Sequence, residues 1–136
     1  MEYNGNKSEY VPIRCGVPQG SVLGPKKFCA YTKPLGNIAR RHNLHFHFYA
    51  DDSQFYVTFM PCEHLERTAA ITCIEKCVKD IKSWMCTNML RLNHDKTEVM
   101  VFGTKKSLSS LDELSVRIRD ANITPSSVVR NLGVTY

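Results

Sequence analysis

Two runs of strand-forming residues, at positions 44–50 and 53–59, meet at Asp51 and Asp52 in the stretch LHFHFYADDSQFYVTF. Short runs rich in aromatic and β-branched residues favour strands, and two such runs joined by polar residues predict a β-hairpin. Aspartate has poor strand propensity, so we expect the doublet at or beside the turn. In a straight strand the two side chains would point to opposite faces. Only a turn or its edge lets both carboxylates approach the same point.

Paired carboxylates at a turn suit a hard divalent cation. Mg²⁺ prefers oxygen ligands, keeps several waters and is commonly held by one or two carboxylates together with substrate phosphates. Two such ions can hold the attacking and leaving oxygens of a phosphoryl transfer. Most Asp doublets are nevertheless ordinary exposed turn residues. The sequence therefore predicts a metal site at Asp51 and Asp52, with a plain turn as the alternative.

Helical patterns flank this hairpin on both sides. The clearest runs from about Glu63 to Asn88, where spacings of four and three predict one buried stripe. The stripe consists of Ala70, Ile74, Cys77, Ile81 and Trp84. The other pattern covers residues 21–42 and predicts a buried face made of Phe28, Tyr31, Leu35 and Ile38. Pro25 suits a first turn, whereas Pro34 is expected to kink the helix or split it in two.

The remaining segments predict strands and loops. Residues 8–15 alternate like a strand and break at Gly16. Residues 97–104, TEVMVFGT, predict a strand buried on both faces or nearly so. The polar residues 105–113 predict a surface loop. The tail after residue 113 predicts two or three short strands, broken at Asn122 and at the TPSS turn.

These elements predict the fold class α+β, an antiparallel sheet with helices packed on one face. A chain of 136 residues, 43% hydrophobic and 23% charged, has the length and composition of one globular domain, 1–136. Its net charge of +5 is compatible with a polyanionic partner but equally with a solvated basic surface. No apolar run approaches the roughly 20 residues of a spanning helix, and the N-terminus has no signal-peptide pattern. We therefore expect an intracellular protein of the nucleus or cytoplasm, with no membrane partner.

The six cysteines lie within apolar patterns, which predicts reduced core thiols and not a disulfide framework. Cys73 and Cys77 share a helical face, and with His64 they form a conceivable zinc site. No paired CxxC spacing supports that alternative, so core packing is the preferred interpretation.

A second motif, GVPQGSVLGP at residues 16–25, combines three glycines with two prolines. Glycines let the backbone come close to a flat ligand without intervening side chains. Ser21 is placed to cap the following helix, whose first amides would face an anion such as a triphosphate. A purely structural turn remains the alternative.

Four segments in a fixed order carry a family resemblance: GVPQGSVLGP, FYADD, WMCTNMLRLNHDKTEVMVFG and VVRNLGVTY. Together they resemble the reverse transcriptase of non-LTR, LINE-type retrotransposons, most nearly those of vertebrates such as fish. The resemblance extends from about Ser8 to Tyr136. It implies part of the palm of a right-hand polymerase: a nucleotide-pocket loop, a metal-binding hairpin, a palm helix and the start of the primer-grip strands.

The resemblance also implies residue roles. Asp51 and Asp52 would be catalytic ligands of Mg²⁺, with Mn²⁺ as an alternative. The nucleotide and template pocket would include Gln19, Gly20, Ser21, Tyr49 and Lys96. The partners would be an RNA template, a DNA primer and a dNTP, with Lys96 near the triphosphate as a candidate general acid. Simpler interpretations are a core aromatic for Tyr49 and a surface ion-pairing residue for Lys96. His45 and His47 share a strand face, where packing or exposure is preferred to a metal pair.

The sequence departs from the family in one decisive respect. In the family, the third metal-binding carboxylate lies in a preceding strand with a motif resembling AFDTVDH. That motif is absent from this sequence, and Glu2 and Glu9 match no family position. Lys26 and Lys27 replace residues that are usually apolar. With fingers, first catalytic strand and thumb absent, we expect little or no polymerase activity from these residues alone. The missing segments or another chain would be needed. The alternative is a non-catalytic remnant, or a host-retained module that binds nucleic acid or another partner.

Overall fold

The computed structural model describes residues 2–3, 6–7, 12, 16, 20–109, 111, 114–118 and 121–135. The helices are α1 (Gly24–Thr32), α2 (Pro34–Arg41), α3 (His64–Thr87) and α4 (Lys105–Ser109), with a 3-10 turn at His94–Lys96. The strands are β1 (Glu2–Tyr3), β2 (Asn6–Lys7), β3 (His45–Tyr49), β4 (Asp52–Tyr56), β5 (Val116–Ile118), β6 (Ala121–Ile123), β7 (Arg130–Asn131) and β8 (Val134–Thr135).

The predicted α+β class is confirmed. Over the described ranges the strands form four separate antiparallel pairs, β1–β2, β3–β4, β5–β6 and β7–β8, and not one continuous sheet. Each pair is a local hairpin, and no described strand bridges two of them. The strand predicted before Gly16 lies outside the described residues except for Pro12. None of the described helices is both long enough and apolar enough to cross a membrane.

The central hairpin, β3–β4, forms as predicted. Tyr49 pairs with Asp52, which leaves a two-residue turn, and Phe46 pairs with Phe55 further along. Alternation puts Phe46 and Phe48 on the half-buried side of β3. Phe55, the cross-strand partner of Phe46, lies on the same side of β4, and Phe48 meets it edge to face with ring centroids 5.8 Å apart.

The core lies between this hairpin and two helices. Its buried members are Leu35, Ile38, Ala39, Leu44, Cys77 and Ile81. The half-buried aromatics of the hairpin pack against them together with Ile74 and Trp84 of α3. The predicted α3 is thereby confirmed in extent and in buried stripe, and α2 and α3 cover one face of β3–β4.

The upstream helix is split at Pro34, as predicted, and only its second half is buried. Leu35 and Ile38 of α2 are each 4% exposed. The prediction was wrong for Phe28 and Tyr31, which are 36% and 48% exposed. Because Pro34 interrupts the helix, the apolar face of α1 does not continue that of α2 into the core.

A glycine allows α2 to lie close to the hairpin. A β-carbon added at Gly36 would lie 2.8 Å from Cζ of Phe46, closer than carbon atoms pack. The Arg40 guanidinium lies over the same ring, 5.0 Å from its centroid, at a distance typical of a cation–π contact. The Phe46 ring therefore packs against α2 in the space that Gly36 leaves free, with the Arg40 guanidinium over its face.

The prediction for residues 97–113 was wrong in two places. Residues 97–104 form no strand. A strand requires a ladder of backbone bonds to a neighbouring strand, whereas the bond from the Ser126 amide to the Val99 carbonyl, at 2.8 Å, belongs to no ladder between described strands. The expected loop begins instead with the short helix α4. Thr104 caps it, since its Oγ1 accepts a bond from the Ser107 amide at 3.2 Å.

The tail forms short strands as predicted, but the described residues include four (β5–β8) where two or three were expected, and the first hairpin packs on α3. Val116 and Ile118 of β5 are buried at 2% and 6% exposure. The Glu75 carboxylate of α3 accepts a hydrogen bond from the Arg117 amide at 2.7 Å. Asn122 lies inside β6 and does not break it. Its side chain is exposed, so no polar group has to be buried there.

Candidate metal and nucleotide site

The turn of the β3–β4 hairpin holds both aspartates. Asp51 is a turn residue, and Asp52 is the first residue of β4, opposite Tyr49. The other turn residue, Ala50, has a φ of 52°. This left-handed conformation is rare for a residue with a β-carbon and costs on the order of 1–3 kcal/mol. The two-residue turn thus keeps both carboxylates at one end of the hairpin at the expense of local strain.

The two carboxylates are exposed and have no charge partner in the described part of the chain. Both side chains are exposed, and no described residue forms an ion pair or a side-chain hydrogen bond with either. Adjacent like charges without a neutralising partner repel each other. Free carboxylate oxygens on a turn are ligands of the kind that a hard divalent cation takes, so Mg²⁺ at Asp51 and Asp52 stays a prediction that depends on donor chemistry.

The outer face of the hairpin surrounds Asp52 with polar and aromatic groups. Tyr49 is 61% exposed beside Asp52, so it is not a core residue. Next along the strands, His47 pairs with Gln54, and His45 stacks on Tyr56 with ring centroids 5.4 Å apart. Sequence reasoning did not single out Gln54 and Tyr56. The signal was present, because a two-residue turn and strand alternation place both on the face of Asp52.

The start of α1 offers fewer amides to an anion than predicted. Gly20 has a φ of 83°, with open space beside its α-carbon. The N-cap residue of α1 is Leu23 and not Ser21. The Oγ of Ser21 nevertheless accepts a hydrogen bond from the amide of Gly24, the first residue of the helix, at 3.1 Å. Pro25 has no amide hydrogen, and the Lys27 amide bonds to the Leu23 carbonyl at 2.9 Å. An anion at this end would therefore depend chiefly on the lysine ammonium groups.

Both lysines of α1, Lys26 and Lys27, are exposed. Their departure from the apolar family pattern needs no adjustment of the helix, because α1 buries no residue. Gln19 lies outside the described residues.

Lys96 ends the 3-10 turn and is exposed. It forms no ion pair with any residue of the described ranges, so the ion-pairing interpretation with Asp95 or Glu98 finds no support there. No hydrogen bond or ion pair between described residues joins Lys96, Gly20 or Ser21 to the hairpin. The structure brings Tyr49, Asp51 and Asp52 together and leaves the other predicted site residues without a direct link to them.

A family model described as Reverse transcriptase (RNA-dependent DNA polymerase) matches residues 1–136. The chain belongs to the reverse transcriptase family. No curated protein and no solved structure matches it significantly. Membership makes it an RNA-directed DNA polymerase by family, and such enzymes act with divalent metal ions on a nucleic-acid template, a primer and dNTPs.

The hairpin of this reverse transcriptase domain supplies two carboxylates and no more. Among the residues that the structure describes, no group of three or more His, Cys, Asp or Glu side chains could hold a metal ion. That finding applies to Asp51 and Asp52, to the His45 and His47 pair, and to the zinc alternative at Cys73 and Cys77.

The described cysteines divide into two on the inner side of α3, Cys73 and Cys77, and three that are exposed. Cys77 is buried in the core, and Cys73 lies half-buried one turn earlier, where its thiol donates to the His42 carbonyl at 2.6 Å. The prediction of core thiols was wrong for Cys29, Cys62 and Cys86, which are exposed. All of these described cysteines are free, as expected of reduced thiols.

Cys77 is expected to resist alkylation in the folded domain. Burial, followed by the neighbouring Cys73 and Asp80, raises the pKa of its thiol to about 11. At about pH 8 only on the order of one part in 10³ is the reactive thiolate. Mass spectrometry after iodoacetamide treatment should show label on the exposed Cys29 and Cys62 and none on Cys77. Label on Cys77 at a similar rate would contradict the packing.

The same pKa shift predicts how stability depends on pH. The raised pKa means that the folded state favours the protonated thiol, so this contribution is complete below about pH 9. It is lost as the pH rises from about 9 through the folded pKa of about 11. Urea unfolding should show this loss in the wild type, and a Cys77→Ala variant should lack that part of the alkaline decline.

Proposed function

We propose that this chain is a palm segment of a LINE-type retrotransposon reverse transcriptase, in which Asp51 and Asp52 hold the catalytic Mg²⁺, or Mn²⁺ in its place. Four sequence segments in the family order support the LINE-type assignment. The observation that carries the catalytic part is the hairpin turn, which presents two free carboxylates at one end of a hairpin anchored in the core.

The chemistry divides between the cation and the residues around it. When bound, Mg²⁺ neutralises charge on the oxygens that exchange during phosphoryl transfer. Asp51 and Asp52 fix its position, and the packed inner face of β3–β4 keeps them in place. Tyr49 stands beside Asp52 on the outer face, where it is suited to contact the primer end or the nucleotide sugar.

The loop and the 3-10 turn are proposed to contact the nucleotide. The open space beside Gly20 leaves its backbone accessible to a base or sugar, with Gln19 and Ser21 as its neighbours in the pocket. Lys96 is exposed and without a described carboxylate partner. Its ammonium group is thus available to the triphosphate and is a candidate proton donor to the leaving group.

A third carboxylate is proposed to come from another segment or another chain. The described residues provide only two candidate ligands. Loss of one positioned electrostatic group commonly lowers a rate by about 10²–10³-fold, so we propose that residues 1–136 alone extend a primer on the order of 10³-fold more slowly than a complete palm. The shortage of ligands is also what favours the second candidate, a non-catalytic domain that only binds nucleic acid.

Primer extension separates these functions. The template is poly(rA) with an oligo(dT) primer, and residues 1–136 are compared with a longer polypeptide that adds an AFDTVDH-type strand. Extension by the longer protein, much reduced in the 136-residue chain, supports the proposal. Tight binding of the template and primer without extension by either protein supports the binding domain and contradicts the catalytic role.

A further inference from the structure

Helix α1 follows the Gly20–Ser21 loop directly, yet the core does not fix its position. It contributes no buried residue, whereas α2 inserts Leu35, Ile38 and Ala39 into the core. Burial of apolar surface is the main force that holds a helix in place. Some other contact must therefore determine where α1, and the loop before it, lies.

The joint between the two helices does not supply that contact. Pro34 has no amide hydrogen, so it cannot make the helical bond that would continue α1 into α2. The Gly36 amide bonds instead to the Lys33 carbonyl at 3.2 Å, only three residues back. Interruptions of this kind are where helices bend, so the joint leaves the direction of α1 only weakly specified.

Tyr31 connects α1 to the far end of α3. Its hydroxyl donates a hydrogen bond to the Asn88 carbonyl at 2.8 Å, across 57 positions of sequence. Its ring lies 6.1 Å from that of Trp84, tilted by 54°, within the range of favourable aromatic pairs. Asn88 is itself held in place, because its side-chain amide donates to the Trp84 carbonyl at 2.8 Å.

We propose that Tyr31 is a positioning residue, a latch that fixes α1 and the Gly20–Ser21 loop against the end of α3. Asn88 precedes the segment that leads to Lys96, and α1 follows the Gly20–Ser21 loop. The hydrogen bond from Tyr31 to Asn88 therefore connects the helix after one proposed nucleotide-contacting segment to the helix end before the other. The positioning role rests on the proposed function. The latch itself does not, and it is measurable without polymerase activity.

Hydrogen exchange and fluorescence of the full 136-residue chain test the latch. Tyr31→Phe, which removes one hydrogen bond, should speed exchange of the amides at 26–32 roughly 2- to 10-fold. Tyr31→Ala, which also removes the ring contact, should speed it at least about 10-fold. Trp84 is the single tryptophan, so its emission should shift to the red. Unchanged exchange at 37–41 in α2 shows that the variant is folded.

Cys29→Ala is the matched control, because Cys29 is exposed on the same helix and should alter neither signal. Exchange in α1 that is equal for wild type and Tyr31→Ala would overturn the latch. In the protein that joins residues 1–136 to an AFDTVDH-type strand, with Mg²⁺ present, Tyr31→Phe should raise the Kd for dTTP roughly 2- to 10-fold. A loosened α1 with unchanged dTTP affinity would overturn the positioning role. If the protein that joins residues 1–136 to an AFDTVDH-type strand binds no dTTP, while Tyr31→Ala still loosens α1, the result supports the latch and contradicts the proposed function.

Discussion

Replacing Asp51 with Asn is expected to lower primer extension at least about 10³-fold in a protein that joins residues 1–136 to an AFDTVDH-type strand. Asn has nearly the shape of Asp but no charge, so the hairpin keeps its form while the cation loses a ligand. Asp51 is exposed at the turn and has no ion pair within the described ranges, so no other interaction accounts for such a loss. Single-nucleotide extension of a labelled primer measures it.

The same substitution should have the opposite effect on stability. Asp51 and Asp52 repel each other without a described counter-charge, so removing one charge should raise the free energy of unfolding by about 0.5 kcal/mol in the absence of metal. Glu63→Gln is the control, because Glu63 is exposed and far from the turn in sequence. It should leave primer extension unchanged, and because Glu63 is the N-cap residue of α3, where a negative charge is favourable, it should not raise the free energy of unfolding. Asp51→Asn with more than about a tenth of wild-type extension would be incompatible with the assigned role.

Ile81→Ala is expected to lower the free energy of unfolding by about 2–5 kcal/mol, the range for truncating a buried large aliphatic residue. Ile81 is 3% exposed on α3 and belongs to the cluster against which the hairpin packs. The cavity would therefore loosen the support of the aspartate turn as well as the helix. Urea unfolding followed by circular dichroism gives the free energy.

Two further variants make the core prediction specific. Ile81→Val removes one methylene and should cost only about 0.5–1.5 kcal/mol, which guards against the Ala variant failing to fold. Lys79→Ala lies on the exposed side of the same helix and should stay within about 0.5 kcal/mol of the wild type. Equal losses for Ile81→Ala and Lys79→Ala would contradict the described core.

The sequence predicted best where periodicity was strong and local. The α3 stripe repeats over about four turns, from Ala70 to Trp84, and the hairpin has two alternating runs with a charged break between them. Both were confirmed, although β4 ends at Tyr56, three residues before the end of the predicted run, and Ile74 and Trp84 of the stripe are only half-buried. The turn itself, with Ala50 at a φ of 52°, has no glycine or asparagine signal, so its strained conformation was not predictable from residue type.

The failures come from packing between distant elements. Tyr31 fits the apolar spacing of Leu35, but the break at Pro34 separates the two helices, and spacing alone does not show on which side of a break burial ends. Residues 97–104 have strand composition, yet strand formation depends on partners that lie elsewhere in the chain. For α4, the Thr104 cap was a readable signal in a segment interpreted only by its polarity.

The candidate site was predictable in part for the same reasons. Asp51 and Asp52 follow from chemistry and from local hairpin geometry. The roles of Gly20 and Lys96 came from family resemblance, because their positions relative to the hairpin depend on long-range contacts such as that of Tyr31 with Asn88. Local pattern carries no information on such distances.

Binding of Mn²⁺ to the 136-residue chain, followed by paramagnetic broadening of its amide NMR signals, tests the central claim most directly. If the hairpin turn holds divalent cations, the signals of residues 49–53 broaden at the lowest Mn²⁺ concentration, and the Asp51→Asn, Asp52→Asn double variant loses that selectivity. Uniform broadening in the wild type, or earliest broadening at another acidic residue such as Asp80, would contradict the account.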